Sequence, residues 1–207
     1  MPLEKIIVET DRAWALWLIT EDEETLQTEL NGVEHEPEGI SNSQKRLEWL
    51  AGRAAAKNVI RALNVDFQGI AKDQFGKPFP RMSHLHLSLS HSFPYAAALV
   101  DRNVPVGIDL EQPKEKLLRI ARRIHHAEEL RDLDNDLVKH CIYWCAKESM
   151  IKMHGRKDLI FAENMFIQPF QRKDEGNITG KLIIGDNQSI VRMRYLVYPS
   201  FVMVYTR

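Results

Sequence analysis

Residues 103–111 read N-V-P-V-G-I-D-L-E and lie at the midpoint of a 207-residue chain. Their apolar positions predict a strand, in which Asp109 and Glu111 share one face because side chains alternate along a strand. Two neighbouring carboxylates repel each other unless a cation lies between them, and carboxylate oxygens are ligands that Mg²⁺ accepts in proteins. The stretch therefore indicates part of a magnesium site. A strand end with two solvated acids is the alternative interpretation.

The same stretch is where the chain would divide into two halves, residues 1–103 and 104–207. At about 100–200 residues per domain, the length allows one large domain or two small ones. The sequence carries no internal repeat. Strand and helix patterns do not alternate as β-α-β units, so we expect an α+β fold with largely antiparallel sheets.

The local pattern predicts a set of helices and strands on either side of this stretch. Ser43 is expected to cap the longest N-terminal helix. The segment 67–81 is expected to be irregular because glycines and prolines interrupt it, and residues 34–42 are expected to form a loop. Predicted helices cover residues 21–30, 43–63, 116–124, 128–133 and 136–153, and predicted strands cover residues 5–8, 13–19, 85–89, 95–100, 104–110, 165–168, 180–184, 189–197 and 201–206.

Composition excludes several classes of protein. Hydrophobic residues make up 44% and charged residues 28% of the chain, which are ordinary globular values. No apolar run approaches the roughly 20 residues of a membrane helix, and the first ten residues lack a signal core. Cys141 and Cys145 are four residues apart, which suits one helix face, so we expect a reduced, cytoplasmic setting. The net charge of −1 argues against a nucleic-acid partner.

A second candidate site lies on the predicted helix 136–153. At 100° per residue, Glu148 and Lys152 continue the apolar stripe of Cys141 and Cys145, which is the expected buried side, while Lys139, Tyr143 and Lys147 lie opposite. Burying a carboxylate is costly unless it is paired or coordinated. Glu148 is therefore a candidate third metal ligand beside Asp109 and Glu111, and Lys152 is a candidate phosphate contact. A surface Glu–Lys pair four residues apart is the alternative.

Two further groups of residues suit phosphate binding. Arg46, Arg53 and Lys57 form one stripe on the helix 43–63, and three cations on one face can hold phosphates. Gly76 lets a ligand approach the backbone beside Lys77 and Pro78. A cluster of polar donors, Ser90, His91 and Ser92, ends a predicted strand. An ordinary solvated helix face, and a turn followed by a capped strand, are the alternatives.

The histidines admit a competing interpretation. His84 and His86 share a strand face and lie near His91, so a zinc hydrolase is an alternative. Metal analysis would discriminate, because only that alternative requires stoichiometric zinc. A catalytic triad of Ser90 and His91 is disfavoured, because neighbouring strand residues face opposite sides and no Gly-x-Ser-x-Gly elbow is present.

The order of these motifs resembles the 4′-phosphopantetheinyl transferase superfamily, in its longer, surfactin-synthetase-activating (Sfp-like) type. The series is Arg53, Gly76-Lys77-Pro78, Ser90-His91-Ser92, Gly107-Ile108-Asp109-Leu110-Glu111 and Trp144-x-x-Lys147-Glu148-x-x-x-Lys152. The resemblance covers roughly residues 43–155. It implies a pseudo-dimeric chain of two similar α+β halves, related by a pseudo-twofold axis. Because both halves would lie in one chain, we expect a monomer. The N-terminal half would supply the coenzyme A-binding elements and the C-terminal half the metal and catalytic motifs.

The resemblance also implies an activity and residue roles. The family transfers the phosphopantetheine arm of coenzyme A to a serine of an apo acyl or peptidyl carrier protein and releases adenosine 3′,5′-bisphosphate. Asp109, Glu111 and Glu148 would hold Mg²⁺, or Mn²⁺, and Lys152 would bind the transferred phosphate. Glu129 would be the base for the serine hydroxyl. Coenzyme A would be held by Arg53, Lys77, Ser90 and His91, by Gly76 and Pro78 of the same motif, and by the weaker candidate Arg46.

Phosphoryl transfer needs charge neutralisation and alignment more than a covalent nucleophile, so this residue set is consistent with that chemistry. Carrier proteins are acidic around their serine, and the basic residues 114–123 are a candidate docking surface. Two positions depart from the family pattern: Ile124–His125 stands where many members have an aromatic pair, and Cys145–Ala146 where Thr or Ser is frequent. The alternative function is a non-catalytic binder of coenzyme A or a nucleotide with the same fold.

Overall fold

The computed structural model describes residues 3–34, 39–156 and 158–207. The chain forms two compact units, Met1–Val106 and Gly107–Arg207. All strand pairs within the described residues are antiparallel, which confirms the α+β prediction. Of the loop predicted at residues 34–42, positions 35–38 lie outside the described residues.

The first unit is a four-stranded sheet covered by a long helix. The sheet has the order β1-β2-β6-β5, and β3 pairs with β4 as a separate hairpin. This hairpin corrects the prediction of an irregular segment at 67–81, because the left-handed Gly76 (φ +85°) makes the turn between two short strands. The elements are β1 (Leu3–Val8), β2 (Arg12–Leu18), α1 (Glu23–Leu30), α2 (Ser43–Ala62), β3 (Ile70–Lys72), β4 (Pro78–Pro80), β5 (His86–Ser92) and β6 (Tyr95–Asp101).

The N-cap of helix α2 lies one residue before the predicted cap, Ser43. The side chain of Asn42 accepts a hydrogen bond from the Lys45 backbone N–H at 3.0 Å, so Asn42 is the cap. The hydroxyl of Ser43 donates instead to Glu23 at 2.8 Å. Small buried side chains of α2, such as Ala51, Ala54 and Ala55, pack the helix into the core that it shares with β2 and β6.

The second unit is a five-stranded sheet with four helices. Its order is β7-β11-β10-β9-β8, so the short strand β7 at the start of the unit pairs with β11 at its end. The four-residue helix α6 was not predicted, since one turn is too short to carry a periodic signal. The elements are β7 (Ile108–Glu111), α3 (Lys116–Ile124), α4 (Ala127–Leu133), α5 (Leu137–His154), α6 (Phe161–Asn164), β8 (Met165–Ile167), β9 (Glu175–Ile184), β10 (Asn187–Val197) and β11 (Val202–Thr206).

Helix α5 is buried on more than one side, which corrects the prediction of a single buried stripe. It packs against β7 and β11 and also against α3. Tyr143 and Lys147, which lie opposite the predicted stripe, are completely buried, and Lys139 is also buried. Cys141 and Cys145 are free thiols in the core, as the sequence predicted. Among residues 3–34, 39–156 and 158–207, no helix combines the length and the apolar character needed to cross a bilayer.

Candidate functional site

A close approach of backbone to backbone places the Asp109 strand against helix α5. A β-carbon at Gly107 would lie 1.8 Å from the carbonyl oxygen of Ser149 and 2.9 Å from the backbone nitrogen of Met153. Only glycine permits this contact, since such distances are far inside van der Waals separation. Gly107 also forms two hydrogen bonds with Thr206 of β11. The Gly107 N–H donates to the Thr206 hydroxyl, and the Thr206 backbone N–H donates to the Gly107 carbonyl oxygen. The chain therefore enters β7 held between β11 and α5.

This approach brings the four predicted residues of the second unit together. The Lys152 ammonium donates to Asp109 Oδ1 at 2.7 Å, across 43 positions of sequence. Burial and then the charge of Asp109 raise the pKa of Glu148, which Lys152 lowers and Glu111 raises further. The charges of Asp109 and Glu111 thus both act on the Glu148 carboxyl, and these three side chains are named here the carboxylate cluster. The prediction that α5 and the Asp109 strand share a site is consistent with this geometry.

The lysines after β7 hold Glu111. Lys116 Nζ lies 3.5 Å from Glu111 Oε2, and Lys114 Nζ lies 4.0 Å from Oε1. Farther along α3, Arg119, Arg122 and Arg123 are exposed, while Leu117, Ala121 and Ile124 are buried. The basic segment 114–123 therefore has two parts: its first lysines neutralise Glu111, and its arginines form an exposed positive face.

The donor set of the carboxylate cluster fits a hard divalent cation. Mg²⁺ and Mn²⁺ bind carboxylate oxygens. A cation would offset both the burial and the neighbouring negative charges that raise the pKa of Glu148. In the described ranges, no three His, Cys, Asp or Glu side chains already converge as metal ligands, the histidines of the zinc alternative included. In the cluster, the Lys152 ammonium lies against Asp109.

Glu129 has a structural position that the sequence did not predict. Its carboxylate is completely buried. It accepts hydrogen bonds from the Lys147 ammonium at 2.6 Å, from the backbone N–H of His126 at 2.7 Å and from the backbone N–H of Ile167 at 2.6 Å. Burial opposes ionisation, yet His125, Lys147 and Ile167 hold the pKa of Glu129 below its ordinary value. A general base must reach the proton that it abstracts. The role of serine base is therefore not supported for Glu129, which joins α4 to α5 and β8.

The His125 side chain lies in the core and does not face solvent. Its side chain is completely buried and packs edge-on against Tyr143, with ring centroids 5.6 Å apart. Its Nδ1 is 3.7 Å from Glu129, beyond hydrogen-bond distance, and neither ring nitrogen has a hydrogen-bond partner in the described part of the chain. Burial lowers the pKa of His125. At Ile124–His125, the predicted departure from the family pattern, the imidazole is therefore a packed core side chain and is not exposed for docking.

In the first unit, the cations predicted for phosphate binding pair with acids of the stretch 23–34, which carries Glu23, Glu29 and Glu34. Arg46 pairs with Glu23 at 2.9 Å, and Arg53 pairs with Glu34 at 3.2 Å while its guanidinium lies 3.4 Å above the Trp49 ring. Lys57 pairs with Glu29 at 3.2 Å. Arg53 and Lys57 are buried. Sequence alone did not pair this acidic stretch with the basic stripe, because the partners are 19 to 28 positions apart.

The turn between β3 and β4 presents Lys77. The carboxylate of Asp73 accepts the backbone N–H groups of Phe75 and Lys77, both at 2.9 Å, and so closes the turn around Gly76. Burial lowers the pKa of Lys77, and Asp73 opposes that change. Burial and the charge of Lys77 lower the pKa of His86, which places Lys77 near β5. Pro78 begins β4, the strand that packs beside β5.

At the end of β5, His91 borders a depression of about 420 Å³. Ser90 is buried, whereas the His91 side chain is 44% exposed. The depression is lined by Gly39, Ile40, Ser41, Asn42, Lys45, Trp49 and His91. Sequence reasoning identified His91 but missed Lys45, since the α2 stripe was traced through Arg46.

Comparisons with known proteins give one consistent result. A sequence profile of the 4′-phosphopantetheinyl transferase superfamily matches residues 105–203. The chain is 30% identical over 155 residues to a 4′-phosphopantetheinyl transferase of Bacillus subtilis, covering 70% of this chain and 65% of that protein. It is 34% identical over 116 residues to 4′-phosphopantetheinyl transferase Sfp of Bacillus subtilis strain 168, covering 52% and 51%.

A third relative extends the range of organisms. The chain is 32% identical over 107 residues to 4′-phosphopantetheinyl transferase gsp of Aneurinibacillus migulanus, covering 48% of this chain and 44% of the relative. The chain therefore spans less than two thirds of the length of each of these three relatives.

Proposed function

This chain belongs to the 4′-phosphopantetheinyl transferase superfamily, and from that premise we propose that it transfers the phosphopantetheine arm of coenzyme A to a serine of an apo carrier protein. Adenosine 3′,5′-bisphosphate is the second product. The observation that carries the proposal is the carboxylate cluster with Lys152 against Asp109. Three carboxylates gathered beside one ammonium suit a reaction in which a pyrophosphate is bound and cleaved.

Each side chain of the cluster has a distinct part in this proposal. Asp109, Glu111 and Glu148 are the residues that would hold Mg²⁺, with Mn²⁺ as the alternative. A bound divalent cation neutralises phosphate charge as a Lewis acid. Lys152 contributes a half-buried ammonium beside Asp109, so an anion that enters there meets a fixed positive charge. Glu129 is not assigned the role of base, and its carboxylate instead holds Lys147.

Coenzyme A is assigned to the side chains of the first unit. His91, Lys77 and Ser90 are proposed to hold its phosphates and its adenine end, with Gly76 and Pro78 shaping the turn that carries Lys77. Arg46 and Arg53 are also proposed as phosphate contacts, but both already form ion pairs. Their carboxylate partners are already in place, so phosphate would have to compete with Glu23 and Glu34.

Intact-protein mass spectrometry of an apo acyl carrier protein tests the reaction. With this protein, coenzyme A and Mg²⁺, the carrier is expected to gain one phosphopantetheine. Glu148→Gln is expected to slow the gain by at least about 100-fold, because it removes an anionic ligand where several kcal/mol of charge stabilisation are concentrated. Glu128→Gln, at an exposed position of α4, is the matched control and is expected to retain the rate.

Two results would contradict this assignment. If apo carriers of several pathways stay unmodified while coenzyme A still binds, the chain is a non-catalytic binder. If Glu148→Gln matches the wild-type rate, the third ligand has been wrongly assigned.

The exposed arginines of α3 are the proposed docking surface for an acidic carrier. Charge reversal of Arg119, Arg122 and Arg123 to Glu is expected to raise the carrier KM by about tenfold or more and to leave coenzyme A affinity unchanged, because complementary charge acts on encounter and orientation. A matched triple reversal at exposed bases elsewhere in the unit, Arg131, Lys173 and Arg192, is the control. Steady-state kinetics measures both sets, and equal KM values for the two triple variants would refute the surface.

A further inference from the structure

Glu48 is a buried acid. It belongs to none of the sequence motifs and has no role in the proposed reaction. It lies on α2 with a side chain that is only 3% exposed. One oxygen, Oε1, accepts the backbone N–H of Phe93 at 2.9 Å. The other, Oε2, accepts the Lys45 ammonium at 2.9 Å and lies 3.3 Å from Nδ1 of His91. One carboxylate thus ties α2 to the end of β5 and the residue that follows it.

The contact fixes how the imidazole is presented. Because Nδ1 faces the carboxylate, the other ring nitrogen, Nε2, points away from Glu48. A neighbouring negative charge favours the protonated ring, in which both nitrogens are donors. The interaction is mutual. Burial acts to raise the pKa of Glu48, but Lys45, then His91 and then the Phe93 N–H hold it below its ordinary value.

The two basic side chains that Glu48 contacts line the same depression. Lys45 and His91 both border the cavity of about 420 Å³, and Trp49 adds an aromatic wall. Glu48 does not line the cavity, so its charge lies behind the cations. With Lys45 and His91 both charged, the three groups sum to one positive charge. A cavity with two cationic groups and one aromatic ring suits an anionic ligand that carries a planar ring.

We infer that Glu48 is a positioning residue for the ligand of the first unit: it holds His91 and Lys45 side by side as the two cations of one anion-binding wall. This inference rests on the proposed function, in which His91 contacts coenzyme A, and it adds the residue that orients that contact. It also brings Lys45 into the site. Glu48 acts through these side chains and does not touch the ligand.

Among the described residues, Glu48 is an acid in ion-pair contact with His91. On the paired strand β6, the residue opposite His91 is Ala96. Strand β4, beside β5, consists of two prolines and a phenylalanine, none of which titrates. Ser90 and Ser92 flank His91 on β5. From α2, the charged groups are Glu48 and Lys45. Replacing Glu48 is therefore expected to change the protonation of His91 directly.

Glu48→Gln tests the inference, because glutamine keeps the volume and an acceptor for the Phe93 N–H while it removes the charge. Calorimetric titration with coenzyme A is expected to give a Kd about tenfold weaker at neutral pH, the size of one charge-assisted hydrogen bond. As the pH is raised, the affinity of the variant is also expected to decline at a lower pH than the affinity of the wild type, because the Glu48 charge no longer favours the protonated imidazole. The kcat at saturating coenzyme A is expected to be unchanged.

Asp101→Asn is the matched control for loss of a buried carboxylate in the same unit. Asp101 pairs with Arg12 and lies opposite His86 on the β5–β6 ladder. His86 is five residues before His91 on β5. This control is expected to lower the thermal midpoint and to leave the Kd and its pH profile unchanged.

The outcomes separate the inference from the proposed function. If wild-type protein does not bind coenzyme A, the proposed function fails. If wild type binds and Glu48→Gln has the same Kd and the same pH profile, Glu48 is only structural and the inference is overturned. If Glu48→Gln and Asp101→Asn weaken binding equally, the effect is a general loss of folding, and the inference is likewise overturned.

Discussion

Lys147→Met is expected to lower the free energy of unfolding by about 3–5 kcal/mol, because it leaves the buried Glu129 carboxylate without its cation. Both side chains of this ion pair are completely buried. The Lys147 ammonium also donates to the carbonyl oxygens of Ile124 at 2.8 Å and Phe161 at 3.2 Å, so its loss removes three hydrogen bonds, one of them to Glu129. For a domain stabilised by 5–15 kcal/mol, this loss is a large fraction of the total. Denaturant unfolding measures it.

Lys139→Met is the matched control on the same helix. Lys139 pairs with Asp132 at 2.8 Å, but these side chains remain 11% and 20% exposed. Water can solvate the remaining acid, so we expect a loss of about 1 kcal/mol. The double variant Glu129→Gln and Lys147→Met is expected to recover part of the loss, because it removes the unpaired charge. If Lys147→Met and Lys139→Met lowered the free energy of unfolding equally, burial of the ion pair would not determine the size of the loss.

Gly107→Ala is the second substitution with a large expected effect. The added methyl group meets backbone atoms of Ser149 and Met153, which no side-chain rotation can move aside. Overpacking in a core costs about 1–3 kcal/mol and occasionally more, and a backbone clash at 1.8 Å belongs at the upper end. The strand must move away from α5, which separates Asp109 from Lys152 and Glu148. We therefore expect transfer activity to fall together with stability.

Gly52→Ala is the control with the opposite expected sign. Apart from its chain neighbours and the backbone of α2 itself, a β-carbon at Gly52 meets no described atom within 4 Å. Alanine is the better helix former by about 1 kcal/mol, so this variant is expected to be more stable than wild type. Thermal unfolding and the carrier modification rate are measured on both variants. A Gly107→Ala protein with wild-type stability and rate would refute the role of the close approach.

The sequence by itself determined the fold class, the family and most elements of regular structure. Alternation in residues 104–110 and the periodicity of residues 136–153 are local properties of the chain, and they predicted β7 and α5 within a few residues. The order of the motifs carried the family resemblance, which the profile match to residues 105–203 confirms. The short hairpin of β3 and β4 was missed, because strands of three residues between glycines and prolines carry almost no periodic signal.

Only the tertiary structure decided which charged groups are paired. The family resemblance made Glu129 a candidate base, and only the structure shows that its carboxylate is buried against Lys147 and the backbone of β8. Arg53 fits the pattern of a phosphate contact, but the chain returns Glu34 to it. Glu48 carried no signal in the sequence, and its meeting with His91 depends on β5 ending beside α2. The physical reason is that periodicity reports which face of an element is buried, whereas an ion pair depends on contacts between elements far apart in the chain.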